Sequence, residues 1–291
     1  MKTMELLTKC QKIRDQLIKF LEERPKKEYD PEEFLNKNPL APLIGTICDE
    51  QIKSEVAWEI PEELAKWMQQ EGMEFKASNV GSLGKEKLKN WLEKYMQDKW
   101  PRRMKREKRE KWLDKISEDI ILTCQKISNE YNDDPDNIFI PPTKEIMSNG
   151  IIELPVPHVY FVLRQFDGIG KKKASMIARD FGKGCDWLNS INSRLKNKGI
   201  EIKVTQAHFT EMPIDVHVRK VLRRLGFLRR YNEPQDIQNL ARMIFPENPG
   251  LVDDLIWRVG RKFCKTEPNC EKCPLTEVCD KDFSKETVKF P

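Results

Sequence analysis

Four of the eight cysteines in this chain, Cys264, Cys270, Cys273 and Cys279, fall within sixteen residues. Their spacing is C-x5-C-x2-C-x5-C, with Pro274 directly after Cys273. Thiolates this close in sequence can wrap one ion or cluster at little loop-closure cost, so the segment is confined to folding around its own sulfurs. No secretory leader pattern opens the sequence, and in an intracellular chain such crowding points to metal rather than disulfides. A four-thiolate zinc site usually draws on two C-x2-C knuckles, and here there is one. A single short pair between two longer arms suits the larger [4Fe–4S] cube. Cys10, Cys48, Cys124 and Cys185 are scattered, mostly in apolar surroundings that fit buried free thiols.

A second constraint lies at Phe166-Asp167-Gly168-Ile169-Gly170-Lys171-Lys172-Lys173-Ala174. An apolar segment, Val159 to Phe166, precedes it, and Met176-Ile177-Ala178 continues a helical pattern after it. Helix, tight glycine turn, helix is the simplest reading. Glycine admits backbone angles closed to other residues and lets a partner approach with no side chain between. The second helix opens with free amide N–H groups and the positive end of its dipole, a seat for phosphate. A solvated helix start is the alternative that the turn alone leaves open.

The rest of the chain also reads as helix. Leu6, Cys10, Ile13, Leu17 and Phe20 stripe an amphipathic helix over residues 1–23. Leu43 to Cys48 is an apolar run that surfaces at Asp49-Glu50-Gln51. Pro61 is read as opening a helix over residues 62–71, Lys85 to Tyr95 forms another, and a long helix begins at Arg102. A short helical piece is expected between Pro141-Pro142 and Pro155-Val156-Pro157, and a short strand where Ile200, Ile202 and Val204 alternate with polar residues. Val218, Val221, Leu222 and Leu225 mark a helix closed by Gly226, and helices over 234–244 and about 249–263 lead to the cysteine loop. Apolar residues make up 38% and charged residues 34% of the 291, and no apolar run approaches the ~20 residues of a membrane span. The expected class is all-α, cytoplasmic, with no membrane partner.

Net charge is only +5, but the cations are clustered. Lys85 to Lys115 holds 13 Lys and Arg against 6 Asp and Glu, and Arg219, Lys220, Arg223, Arg224, Arg229 and Arg230 form a second group. Such stripes suit a polyanion such as nucleic acid. A solvated helix face is the alternative for each group taken singly.

Three motifs together resemble the endonuclease III branch of the helix-hairpin-helix DNA glycosylases, enzymes that remove damaged bases. The family's hairpin reads Leu-Pro-Gly-Val/Ile-Gly-x-Lys-x-Ala, and Phe166 to Ala174 matches it with Phe166-Asp167 in place of Leu-Pro. Val-Asp-Thr-His-Val of the family corresponds to Ile214-Asp215-Val216-His217-Val218. Gly-Arg-x-x-Cys recurs as Gly260-Arg261-Lys262-Phe263-Cys264, although the first cysteine gap is one residue shorter than in the family. An early apolar helix leading to Gln is shared as well, at Leu43-Ile44 and Gln51. The resemblance touches most of the chain, in order.

It implies a two-lobed fold, with residues 40–205 forming the helical lobe of the hairpin. Residues 1–39 and 206–291 would form a second lobe carrying the cluster, and double-stranded DNA with a damaged or modified base would lie across the cleft. It implies that Lys172 is the nucleophile of an associated AP-lyase reaction and that Asp215 is the catalytic carboxylate. It further implies that Gly168, Ile169, Gly170, Lys171 and Lys173 hold backbone phosphate, that Gln51 fills the gap left by a flipped nucleotide, and that Cys264, Cys270, Cys273 and Cys279 ligate a structural [4Fe–4S] cluster. A monomer associated with the nucleoid is expected. A monofunctional glycosylase with water activated by Asp215, a non-catalytic damage-binding protein and an RNA-directed protein are the rival readings. Thr46 stands where adenine-specific relatives place a glutamate, which counts against adenine excision. Lys172 and Asp215 are 43 positions apart, further than in relatives, and residues 72–115 are longer and more basic than the family needs. Insertions beside a binding face often set the substrate, so the base removed does not carry over.

Overall fold

The computed structural model describes residues 3–22, 32–141, 150–228 and 232–283. By internal packing it divides into two units, residues 28–205 and residues 1–27 with 206–291. Both are built almost wholly from helices.

In the discontinuous unit, helix α1 (Thr3–Glu22) packs beside α12 (Pro234–Ile244), and α11 (Val216–Arg224) packs beside α13 (Leu251–Lys262). The heptad-like spacing of α1 has the consequence its sequence implies. Cys10, Ile13 and Leu17 are buried, and Leu6 and Phe20 pack half-buried alongside. These face Val218, Leu222, Ile237 and Val252 from the other helices, so every helix gives its apolar stripe to one core. Gly226 ends α11 at φ +85°, where a Cβ would fall on the Asp280 carboxylate, so only glycine fits both the angle and the space.

The continuous unit contains α2 (Glu32–Lys37), α3 (Ala41–Cys48), α4 (Ser54–Gln70), α5 (Ala77–Ser82), α6 (Lys85–Met96), α7 (Arg106–Glu130), α8 (Val156–Leu163), α9 (Lys171–Gly182) and α10 (Asp186–Leu195). Its first boundary falls before position 40 because α2 packs on α3, α4 and α10. Arg194 of α10 holds this corner. It donates to both oxygens of buried Asp136 at 2.6 and 2.8 Å and to the Asn36 carbonyl at 2.7 Å.

Three local expectations change. Pro61 does not open a helix but lies inside α4. The helix tolerates the lost backbone donor because Ala57, Ile60, Leu64 and Met68 on the same side are all buried. The basic run from Arg102 precedes the long helix, which begins at Arg106. Before the hairpin, residues 142–149 lie outside the described residues, and Ile151–Pro155 is a strand, β1, rather than helix. It pairs in parallel with β2 (Glu201–Thr205), the strand expected from the alternation at Ile200, Ile202 and Val204. Ile152 and Leu154 bury one face against α8, while Asn192 of α10 exchanges hydrogen bonds with the Ile202 backbone at 2.9 and 2.7 Å. The segment after α9 is thereby packed rather than a loose loop. No helix among the described residues is long and apolar enough to cross a membrane.

Candidate active site and cysteine pocket

The turn between α8 and α9 is held from behind. Phe166 and Ile169 are buried, and the Phe166 ring packs on Tyr131 at 5.9 Å between centroids. Three successive carbonyls accept side-chain donors. Thr123 Oγ1 donates to Asp167 at 3.1 Å, Lys173 Nζ to Gly168 at 3.0 Å, and Arg164 Nη1 to Ile169 at 2.9 Å. Once those carbonyls are engaged, the turn has its peptide planes fixed. The first amides of α9 have no acceptor within their own helix, which leaves the electropositive backbone that an anion needs. Gly168 sits at φ +76°, and a Cβ there would lie 2.9 Å from Asp119 Oδ2 and from Ile47 Cγ2. Gly170 has φ −72° and nothing within 4 Å of where its Cβ would be, so the fold makes no such demand there.

The three lysines separate by position. Lys171 and Lys172 are exposed at the start of α9. Lys173 points inward, with its side chain only 13% exposed, and its Nζ also donates to the Ile47 carbonyl at 2.9 Å and stands 3.5 Å from Glu50 Oε2. Burial holds its amine below the ordinary lysine range, against the opposing charge of Glu50. Its ammonium is thus taken up by the end of α3 and the hairpin carbonyl, not presented to solvent.

That contact ties the hairpin to residues 49–51. Helix α3 is buried along its whole length, and Gly45 lets the Trp58 ring lie against it, since a Cβ would be 2.5 Å from Trp58 Cε3. Beyond Cys48 the chain turns sharply, with Gln51 exposed at φ +62°, an angle unusual outside glycine. Its neighbour is fixed on both sides. Trp112 Nε1 donates to the Glu50 carbonyl at 2.6 Å, and Lys115 Nζ donates to the Glu50 carboxylate at 2.9 Å. Burial raises the Glu50 carboxyl, but the hydrogen bond from Lys115 and the charge of Lys173 outweigh it and hold it below the usual range. Asp49 goes the other way, because burial pushes its carboxyl up despite the Lys172 and Lys173 charges and a hydrogen bond with Trp58. Trp112, Lys115 and Lys173 are supports that sequence spacing could not identify, for they come from other helices. Thr46 is buried and donates to the Pro42 carbonyl at 2.8 Å, so its hydroxyl serves α3 itself.

In the other unit, Asp215 is the N-cap of α11, with Oδ1 accepting from Val218 N at 2.8 Å. His217 packs edge-on to Trp257, and Gly260 lies against it, for a Cβ there would be 3.3 Å from His217 Cβ. The Ile-Asp-x-His-Val and Gly-Arg-x-x-Cys motifs therefore meet as packed faces of α11 and α13.

Cys264, Cys270, Cys273 and Cys279 all line one pocket. None is in a disulfide. Burial pushes the Cys273 thiol up to about 11, and the charges of Cys264, Cys279 and Cys270 add to the shift, so the four sulfurs feel one another. Arg224 closes one side. Its guanidinium donates to Cys264 Sγ at 3.2 Å and to the Lys265 carbonyl at 2.8 Å, and its own carbonyl accepts from Cys279 Sγ at 3.1 Å. No three His, Cys, Asp or Glu side chains among the described residues converge closely enough to grip a single ion.

No family model matches the chain. Among curated proteins it is 32% identical over 96 residues to endonuclease III of Sulfolobus acidocaldarius and 26% identical over 157 residues to endonuclease III of Rickettsia conorii. These matches take in 32% and 53% of the chain, and the chain spans 43% and 60% of those relatives' own lengths. Among solved structures, it resembles a non-covalent endonuclease III–DNA complex at TM-score 0.57 and 16% identity, over 97% of both chains. A trapped endonuclease III–DNA covalent intermediate gives 0.55, also at 16% identity and 97% of both chains. A thermostable thymine-DNA glycosylase gives 0.54 at 12% identity, over 94% of this chain and 95% of the other. The chain thus shares the fold of these structures along nearly its whole length and is similar in sequence to endonuclease III over part of it.

Proposed function

We propose that this protein excises a damaged or modified base from double-stranded DNA and that Lys172 gives it an associated AP-lyase activity. The observation that carries the reading is the braced hairpin, which engages its own carbonyls and buries Lys173 while leaving Lys172 exposed at the start of α9. The neutral Lys172 amine bonds to C1′ as the glycosidic bond breaks, and the base departs with the electron pair and takes up a proton. Ring opening leaves a Schiff base, from which loss of the C2′ proton breaks the C3′–O bond. Asp215 supplies a carboxylate that stabilises positive charge on the sugar. Gln51, at the tip of a turn fixed through Glu50, is the side chain suited to enter the stack when the nucleotide leaves it. Lys171 and the amides of Gly168, Ile169 and Gly170 hold phosphate.

The pocket residues fit a [4Fe–4S] cluster held by Cys264, Cys270, Cys273 and Cys279. All four cysteines line that pocket and none is in a disulfide, so their sulfurs are available as ligands. Their spacing, one short pair between two longer arms, suits such a cluster better than a zinc site built from two C-x2-C knuckles. When bound, the cluster supplies structure, fastening the end of α13 to the loop that follows. The protein acts as a monomer, in the cytoplasm and associated with the nucleoid.

Borohydride reduction in the presence of lesion-bearing duplex tests the lyase reading. A covalent adduct that forms with the parent protein and is lost in Lys172→Ala supports it, and no adduct across a broad lesion panel refutes it. One observation favours a second reading. Asp215 caps α11 through Oδ1, a structural role that a non-catalytic damage-binding protein would also keep. Binding to lesion duplexes without release of any base would decide for that alternative.

A further inference from the structure

The basic segment from Lys85 to Lys115 separates into two parts in the structure. In the first, the lysines are mostly neutralised. Lys85 pairs with Asp114 and Glu118 at 3.2 and 3.0 Å, Lys89 with Asp114 at 3.1 Å, Lys87 with Glu71 at 3.1 Å and Lys99 with Glu59 at 3.5 Å. In the second, Arg102, Arg103, Lys105, Arg106, Lys108 and Lys111 are all exposed. Arg106 and Lys111 pair with Glu110 and Glu107 of their own helix. Arg102, Arg103, Lys105 and Lys108 have no carboxylate partner among the described residues.

This concentration does nothing for the fold. The charges repel one another, and those at the start of α7 oppose its dipole. The backbone beneath them is nonetheless held firmly. Met104 N donates to the Pro101 carbonyl at 2.8 Å and Arg109 Nε to the Met104 carbonyl at 3.0 Å. Trp100 stands edge-on to Trp112 at 5.4 Å, with the Arg109 guanidinium 5.7 Å above its ring. Trp112 and Lys115 are the residues that fix Glu50, and the part of the turn inside α7, Arg106 to Lys108, lies about 6–14 Å along the helix from them, at 1.5 Å per residue. None of the large exposed hydrophobic side chains falls between residues 97 and 111, so the surface lacks the apolar anchors of a protein-docking or membrane-inserting face. Unpaired cations on a rigid support beside a nucleotide-handling turn match the repeating charge of a nucleic-acid backbone.

We propose that the turn at residues 102–108 is a second grip on the DNA duplex, binding backbone phosphates that flank the nucleotide handled by the hairpin and the Gln51 turn. The inference rests on the function proposed above. Arg102, Arg103, Lys105 and Lys108 make the contacts, and they act on affinity and salt dependence rather than on the choice of base.

The test compares the parent protein with a quadruple Arg102→Gln, Arg103→Gln, Lys105→Gln, Lys108→Gln variant. A control replaces four exposed lysines elsewhere, Lys87, Lys94, Lys196 and Lys203, with glutamine. Affinity for a lesion-bearing duplex is measured from low to moderate salt. Each phosphate contact adds about 0.9 to the slope of log K against log salt, so losing two to four contacts should flatten it by roughly 2–4. The control should change it by less than about 1. Trimming the duplex on the flank that reaches the turn should bring the parent protein down to the variant. An unchanged slope in the quadruple variant, or an equal change in the control, overturns the inference. Base release by a parent protein whose quadruple variant keeps its slope sinks this inference alone, whereas a parent protein that neither binds lesion duplex nor releases a base sinks the proposed function.

Discussion

Gly168 and Gly170 flank one residue in the same turn, yet the structure asks different things of them. At Gly168 an alanine would be held at φ +76°, which costs about 1–2 kcal/mol for a residue with a Cβ. Its methyl would also press on Asp119 and Ile47 at 2.9 Å, and overpacking of this kind costs about 1–3 kcal/mol more. Gly168→Ala should therefore destabilise the continuous unit by about 2–5 kcal/mol, a large share of a typical domain's stability. With a urea m-value of about 1–3 kcal/mol/M, the midpoint should fall by about 1 M or more. At Gly170 the backbone is ordinary and the space is open, so alanine should leave the unfolding free energy within about 0.5 kcal/mol of the parent. Duplex affinity should nevertheless fall in Gly170→Ala, because the methyl occupies the surface through which phosphate approaches. Urea titration by circular dichroism, run beside fluorescence anisotropy on a lesion duplex, reads both quantities. A neutral Gly168→Ala would refute the packing argument. A Gly170→Ala variant with parental affinity would refute the reading of this turn as a phosphate seat.

Other expectations follow from the same geometry. Asp215→Asn keeps an N-cap acceptor and should retain stability while base release collapses, whereas Asp215→Ala should also lose about 1 kcal/mol of stability, and differential scanning calorimetry beside a base-release assay separates the two. Lys173→Met leaves the Ile47 and Gly168 carbonyls without their donor and should cost about 1–3 kcal/mol by urea denaturation, with borohydride trapping at Lys172 still detectable. Glu50 is held below its unfolded value, so it contributes stability at neutral pH that is lost as pH falls through its folded value. Relative to the parent, Glu50→Gln should therefore show a shallower loss of stability on acidification below the ordinary glutamate range, and identical acid limbs would contradict the assignment. Cys273→Ser should lower bound iron and acid-labile sulfide on elemental analysis of purified protein, and zinc in the parent protein without iron would overturn the cluster assignment.

Much of this protein could be read from its residues one helix at a time. Apolar spacing placed α1, α6 and α11, because a helix buried on one side must repeat its hydrophobic residues every three or four positions. The glycine turn and the cysteine loop were legible for a related reason, since each is a short segment whose geometry is settled by its own residues. What failed locally failed where a partner decides. Pro61 reads as a boundary until the burial around it is known, and β1 has no meaning without β2, which lies far along the chain.

The candidate site divides in the same way. The sequence by itself determined which residues stand at the turn and in the cysteine loop, for motif order and spacing are linear properties, whereas the cap formed by Asp215 came from the structure. Only the tertiary structure distinguished Lys173 from its neighbours, by bringing the end of α3 beneath it, and showed that Trp112 and Lys115 hold the turn before Gln51. Only the structure, too, split one basic stretch into paired lysines and an unpaired turn. Charge is carried by residues one at a time, but neutralisation depends on what another helix places within a few ångströms.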